Sequence, residues 1–157
     1  MMGPLAIPPF ECFYEQHAEE VLGYLIRLLG RDAAEDAWQE TFLRALRAYP
    51  TLRHGRHLRA WAFTIATRVA LDERRRATPV PAELPELPAA DDGPAFAELA
   101  PYADALPRTE RAAVVLRYGY DLDYAQIGDA LGSNAVAARA AASSGIRRLR
   151  RNHDADR

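Results

Sequence analysis

Residues 32–49, DAAEDAWQETFLRALRAY, decide the reading of this chain. Asp32 can cap a first helical turn, and Glu35 follows at the three-residue spacing of a capping box. At about 100° per residue, one side of the predicted helix gathers Ala34, Trp38, Thr41, Phe42, Ala45 and Tyr49, a stripe suited to burial. The opposite side gathers Asp36, Gln39, Glu40, Leu43 and Arg47. A solvated face has no need of a leucine at its centre. Leu43, ringed by two carboxylates and an amide, has the chemistry of an anchor for a partner. The same pattern also suits an ordinary amphipathic helix with one exposed leucine.

Working outward, Pro8 and Pro9 close a short N-terminal arm, and Phe10–Leu29 forms a first helix with Phe10, Phe13, Tyr14, Val21, Leu25 and Leu28 recurring at helical spacing. Gly30 is its stop. Cys12 reads as a small buried apolar side chain and His17 as a polar edge residue. Pro50 ends the second helix. A basic loop follows, TLRHGRH at 51–57, in which His54 and His57 lack the further ligands a metal requires.

The next helix, Leu58 to Arg75, separates into two faces. Leu58, Trp61, Ala62, Ile65 and Val69 point toward the first two helices; Thr64, Thr67, Arg68, Leu71, Arg74 and Arg75 point away. Trp61 suits the core or a stacking platform. Asp72 is expected to pair with an arginine. The cluster Arg74, Arg75 and Arg76 suits phosphate contacts, or simply a helix C-terminus favoured by the macrodipole.

Residues 78–93, TPVPAELPELPAADDG, hold four prolines and four acids, too little apolar surface to fold alone. This is an acidic, Pro-rich linker. A helix is expected over 94–105, another from Pro107 to Tyr118, a short one from Asp123 to Leu131, and a last one reaching about Arg151. Gly132 makes the last turn, and Ser133–Asn134 caps the last helix. Its core positions are Ala138, Ala142, Ile146 and Leu149. Helix, short turn, helix is a helix-turn-helix; a generic bundle gives a similar pattern, but turn length, cap placement and the Arg-rich tail favour DNA.

Composition sets the outer bounds. The chain has 157 residues, 49% of them apolar, room for one ordinary domain or two small ones. The net charge of −2 conceals an asymmetry: 77–107 carries six acids and no base, whereas 106–151 carries eight Arg against four acids. A single cysteine excludes an intramolecular disulfide and a Cys-based zinc site. No Ser/His/Asp set, phosphate-cradling Gly loop or metal cluster stands at useful spacing, so no enzyme and no cofactor is expected. The Pro-broken, uncharged MMGPLAIPPF lacks a signal-peptide pattern, and no apolar run nears the roughly 20 residues of a membrane span. The expected location is the cytoplasm.

AEDAWQETFLRA (34–45) and LRAWAFTIATRVALDERRRA (58–77) together resemble region two of bacterial extracytoplasmic-function (ECF) sigma factors. LPRTERAAVVLRY (106–118) and DYAQIGDALG (123–132) resemble their region four. The resemblance implies an all-α protein of two small helical domains, a three-helix region-two bundle at 8–77 and a region-four helix-turn-helix at 94–153, joined by the linker 78–93. It implies RNA polymerase core as partner, through its clamp coiled coil and flap, with the clamp contact at Asp36, Gln39, Glu40, Leu43 and Arg47. Promoter DNA is the second partner. The loop residues Arg53, His54, Arg56 and His57, with Trp61, Thr64, Arg68, Arg74, Arg75 and Arg76, would meet the −10 element, the loop receiving a flipped base. Ser133, Asn134, Val136, Ala137, Arg139, Ala140, Ser143 and Arg147 would meet the −35 element. An anti-sigma factor is a further candidate partner.

One departure stands out. Where sigma factors place several basic residues, this chain reads VAARAAASSG at 136–145, with Arg139 alone. The implied function is promoter-specific transcription initiation. Its rivals are a DNA-binding regulator that has lost polymerase engagement, and an interaction protein whose Ala-rich last helix packs on a protein partner.

Overall fold

The computed structural model describes residues 6–76 and 105–155, without the side chains of 73–76. All regular secondary structure among the described residues is helical. The linker 78–93 and the helix expected over 94–105, Ala105 excepted, lie outside them.

Helix α1 spans Phe10–Leu29 and α2 spans Arg31–Ala48, with only Gly30 between them. Gly30 has φ 83° and ψ 165°, a conformation essentially reserved for glycine, and it ends one helix while starting the next. This corrects the expected cap. Helix α2 begins at Arg31, so Asp32 already lies inside the first turn and makes no side-chain cap. Its carboxylate still complements the helix N-terminus.

The buried stripe of α2 is Ala34, Ala37, Thr41, Phe42 and Ala45; Trp38 and Tyr49 are half-buried at its edges. The Trp38 indole N–H donates to the Ala18 carbonyl (3.0 Å), pinning α2 to α1. Helix α3 spans Leu58–Arg76. Arg59 joins it to α1 through Glu20, with guanidinium-to-carboxylate distances of 2.6, 3.0 and 3.2 Å.

In α1 the largest buried side chains are Tyr24 and Phe13. Full burial of such a side chain contributes about 1.5–3 kcal/mol. Two expectations fail here. His17 is buried on the stripe, four residues after Phe13 and with ring centroids 5.3 Å apart, whereas Cys12 lies off the stripe and is exposed.

The C-terminal half begins with α4, Arg108–Val114, whose last turn widens into π geometry over Val115–Gly119. Helix α5 is Tyr124–Leu131 and α6 is Ala135–Ala155. Asp123 caps α5 in a reciprocal box with Gln126, and the Asn134 side chain accepts the Ala137 N–H at the start of α6. Gly132 makes the left-handed turn between them. Ala138, Ala142, Gly145 and Leu149 face the core, with Ile146 at its edge.

The two helical domains pack on each other, mainly α3 against α5. Burial on α3 is wider than one stripe. Phe63, Ala66, Thr67 and Ala70 are buried as well as Ala62 and Val69, while Arg68 stays exposed. Thr67, expected to point away, instead bonds the Tyr24 hydroxyl (2.7 Å). Tyr120 fills the seam, its ring centroid 4.9 Å from Phe63 and 5.7 Å from Tyr24.

Candidate nucleic-acid interface

Three surfaces gather the expected functional residues. The first is the outer face of α2. Asp36, Gln39, Leu43 and Arg47 are exposed there, and Glu40 is half-exposed. The Arg44 Nε donates to Glu40 (2.9 Å), and its other end lies 3.5 Å from Asp72, which supplies the arginine expected beside that carboxylate. Leu43 is 47% exposed and Leu46 is 50% exposed. Leu46 was missed from sequence, although it lies three residues after Leu43, the spacing that places two side chains side by side. Two leucines on an otherwise polar face make an apolar anchor with a charged rim.

The second surface is the loop before α3. Arg53, His54, Arg56 and His57 are all exposed. The Arg56 amide donates to His54 Nδ1 (3.2 Å), and His57 adopts φ 57°, a left-handed conformation uncommon outside glycine. The arm backs this loop: the Tyr49 hydroxyl donates to the Pro8 carbonyl, and a Cβ on Gly55 would collide with the Ala6 carbonyl oxygen. Only glycine lets the arm lie so close.

On the adjoining helix, Thr64 and Trp61 are half-buried. Trp61 belongs to the aromatic cluster, 5.4 Å from Phe13 and 6.2 Å from Tyr49 between centroids. Arg68 is exposed, and its Nη2 donates to the Asp129 carbonyl at the end of α5 (3.2 Å). The side chains of Arg74, Arg75 and Arg76 lie outside the described residues.

The third surface is the helix-turn-helix. Ser133, Asn134, Val136, Ala137, Arg139, Ala140, Ser143 and Arg147 are all exposed along α6 and the turn before it, with Val136 at 80%. Arg148 is tied to Glu110 (3.0 Å), which also accepts from the Ser144 hydroxyl (2.8 Å), so this arginine braces α6 on α4. Tyr124 was not singled out in sequence, yet two guanidiniums lie over its ring, Arg117 at 4.7 Å and Arg139 at 5.0 Å from the centroid. Chemically, the first ten residues of α6 offer one hydrogen-bonding fork, Arg139, among small side chains, and Arg147 adds a second further along the helix.

Residues 13–79 match the family Sigma-70 region 2, and residues 103–151 match Sigma-70, region 4. The RNA polymerase sigma factor CarQ of Myxococcus xanthus is 32% identical over 151 residues, covering 90% of this chain and 87% of CarQ. The chain belongs to the ECF sigma factors.

The ECF sigma factor SigE of Mycolicibacterium smegmatis is 35% identical over 159 residues, 92% of this chain, and the chain spans 62% of the length of SigE. Among solved structures, the sigma factor RpoE of Bartonella quintana, in complex with the anti-sigma factor NepR, superposes with a TM-score of 0.73 at 19% identity. That match covers 94% of this chain and 98% of RpoE, a likeness of fold. The α1–α3 bundle is thus sigma region two and α4–α6 is sigma region four. Among the described residues, no helix is long and apolar enough to cross a membrane.

Proposed function

We propose that this ECF sigma factor is a promoter-specificity subunit: it binds RNA polymerase core in the cytoplasm and directs it to promoters, acting by binding and not by catalysis. One observation carries the reading. A partner face with two exposed leucines on α2 and an exposed helix-turn-helix face on α6 occur in one chain, in the order of the family's two regions.

Asp36, Gln39, Glu40, Leu43 and Arg47, joined by Leu46, form the contact with the polymerase clamp coiled coil, and region four meets the flap. Arg53, His54, Arg56 and His57 receive the unstacked −10 strand, continued along Trp61, Thr64, Arg68 and Arg74–Arg76. Unstacked bases need polar edges and stacking planes, which this loop offers. Region four meets the −35 element through Ser133, Asn134, Val136, Ala137, Arg139, Ala140, Ser143 and Arg147. An anti-sigma factor is proposed as a further partner, by analogy with the RpoE–NepR complex.

A second reading, a DNA-binding helix-turn-helix regulator or protein-interaction module of sigma-like fold with weakened −35 readout, is favoured by the exposed Ala137 and Ala140 where basic readers are expected. Transcription from a genomic promoter library by purified core, with and without the chain, tests the main reading. Discrete start sites that depend on the chain are expected. An unchanged profile would remove the proposal, and binding to DNA without core stimulation would leave the regulator reading in its place.

A further inference from the structure

Arg139 is the only basic residue in the first ten positions of α6, and it stands exposed among Val136, Ala140 and Ser143. Among the described residues no carboxylate and no hydrogen-bond acceptor holds its guanidinium. What it meets is the ring of Tyr124, with Cζ 5.0 Å from the centroid.

That ring is well fixed. Tyr124 is the first residue of α5, directly after Asp123, whose reciprocal box with Gln126 sets the start of the helix. Arg117 also lies over the ring (4.7 Å), and its own Nη1 is anchored on the Leu122 carbonyl (3.1 Å). A cation over an aromatic face is attracted to it, and a planar guanidinium stacks there without spending its hydrogen-bond donors. The donors of Arg139 remain available. A long side chain otherwise loses much rotamer freedom when it engages a base edge, and prior stacking removes part of that loss.

We propose that Tyr124 is a positioning residue for promoter recognition: its ring holds the Arg139 guanidinium ready for bidentate contact with one guanine in the −35 element. The inference rests on the reading of α6 as the promoter-contacting helix. It gives a helix with one basic residue in its first ten positions a means of selecting one base. Arg117 completes the support from over the same ring.

The test uses holoenzyme assembled from the full chain and polymerase core, selecting from a duplex library with a randomised upstream region. Wild type should enrich guanine at one position. Arg139→Ala should lose that preference by roughly 5- to 150-fold, the range of a bidentate pair. Tyr124→Leu should lose about tenfold or more at the same position, leaving the other positions and the downstream preference unchanged. Tyr124→Phe keeps the stacking face and should restore the preference. Tyr124→Met, of similar bulk without a ring, serves if the leucine variant fails to fold.

The outcomes separate cleanly. If Arg139→Ala loses guanine and Tyr124→Leu keeps it within twofold, the positioning role is wrong while base reading by Arg139 stands. If Arg139→Ala selects the wild-type motif, or wild type selects no guanine, Arg139 reads no base and both ideas fall. If the leucine and phenylalanine variants lose preference at every position alike, Tyr124 acts only on the fold and the proposal is overturned.

Discussion

The Arg111 guanidinium crosses from region four to the end of helix α1, where its Nη1 donates to the Leu28 carbonyl at 3.0 Å while Nη2 reaches the Leu106 carbonyl at 3.3 Å. It is nearly buried, and its positive charge meets the carbonyl end of a helix, where the macrodipole favours a cation. A hydrogen bond to a charged group contributes roughly 1.5–3 kcal/mol, and the loss is felt on both sides of the seam. Arg111→Met should therefore lower unfolding free energy by about 2–3 kcal/mol in urea titration. Amide exchange should accelerate first at the end of α1. Unchanged exchange there would show that the contact carries no weight.

Leu43 and Leu46 stand half-exposed on α2 and outside its buried stripe. Truncating both to alanine should leave stability within about 0.5 kcal/mol, as usual for surface sites. Affinity for polymerase core should fall at least about tenfold, the scale of a central apolar anchor. Fluorescence anisotropy with labelled protein and purified core measures it. Wild-type affinity in a folded double variant would move the clamp contact elsewhere.

His17 is buried beside Phe13, and desolvation holds its pKa below the ordinary value, opposed by Glu20 and assisted by Arg59. The unfolded chain then takes up a proton before the folded one does. Stability from this group is complete above the unfolded value of about 6.5 and is lost as pH falls below it toward the lowered folded value. The chain has four histidines, so the informative quantity is a difference between wild type and a variant lacking this one. Urea midpoints at pH 7.5 and 5.5 should move apart less in His17→Gln than in wild type. Equal pH slopes in the two proteins would refute the assignment.

Cap chemistry is local, and part of it was legible. Asn134 caps the last helix as its placement suggested. The box of Asp123 with Gln126 was missed, although the three-residue spacing carries its signal. Asp32 and Glu35 carry the same spacing but form no cap, because Gly30 starts the helix two residues earlier. His17 could have been placed by its four-residue step from Phe13, which puts it on the stripe. Thr67 and Phe63 could not. Thr67 meets the Tyr24 hydroxyl of α1, and Phe63 packs on Tyr24 and on Tyr120, partners distant in sequence of which periodicity within α3 carries no trace. The exposure of Val136, Ala137, Arg139, Ala140, Ser143 and Arg147 was legible from the spacing of the core residues Ala138, Ala142 and Leu149, whereas the stacking of Arg139 on Tyr124 joins two helices and appears only in three dimensions.

The close approach of Ala6 to Gly55, and of Pro8 to Tyr49, has a practical side. An affinity tag or fluorescent fusion at the amino end would pull on the very arm that backs the Arg53–His57 loop. Altered melting of a promoter by such a fusion would then report on the handle and not on the protein. A handle placed after α6 is far from that loop along the chain, and comparing the two placements is the control every binding assay on this molecule requires.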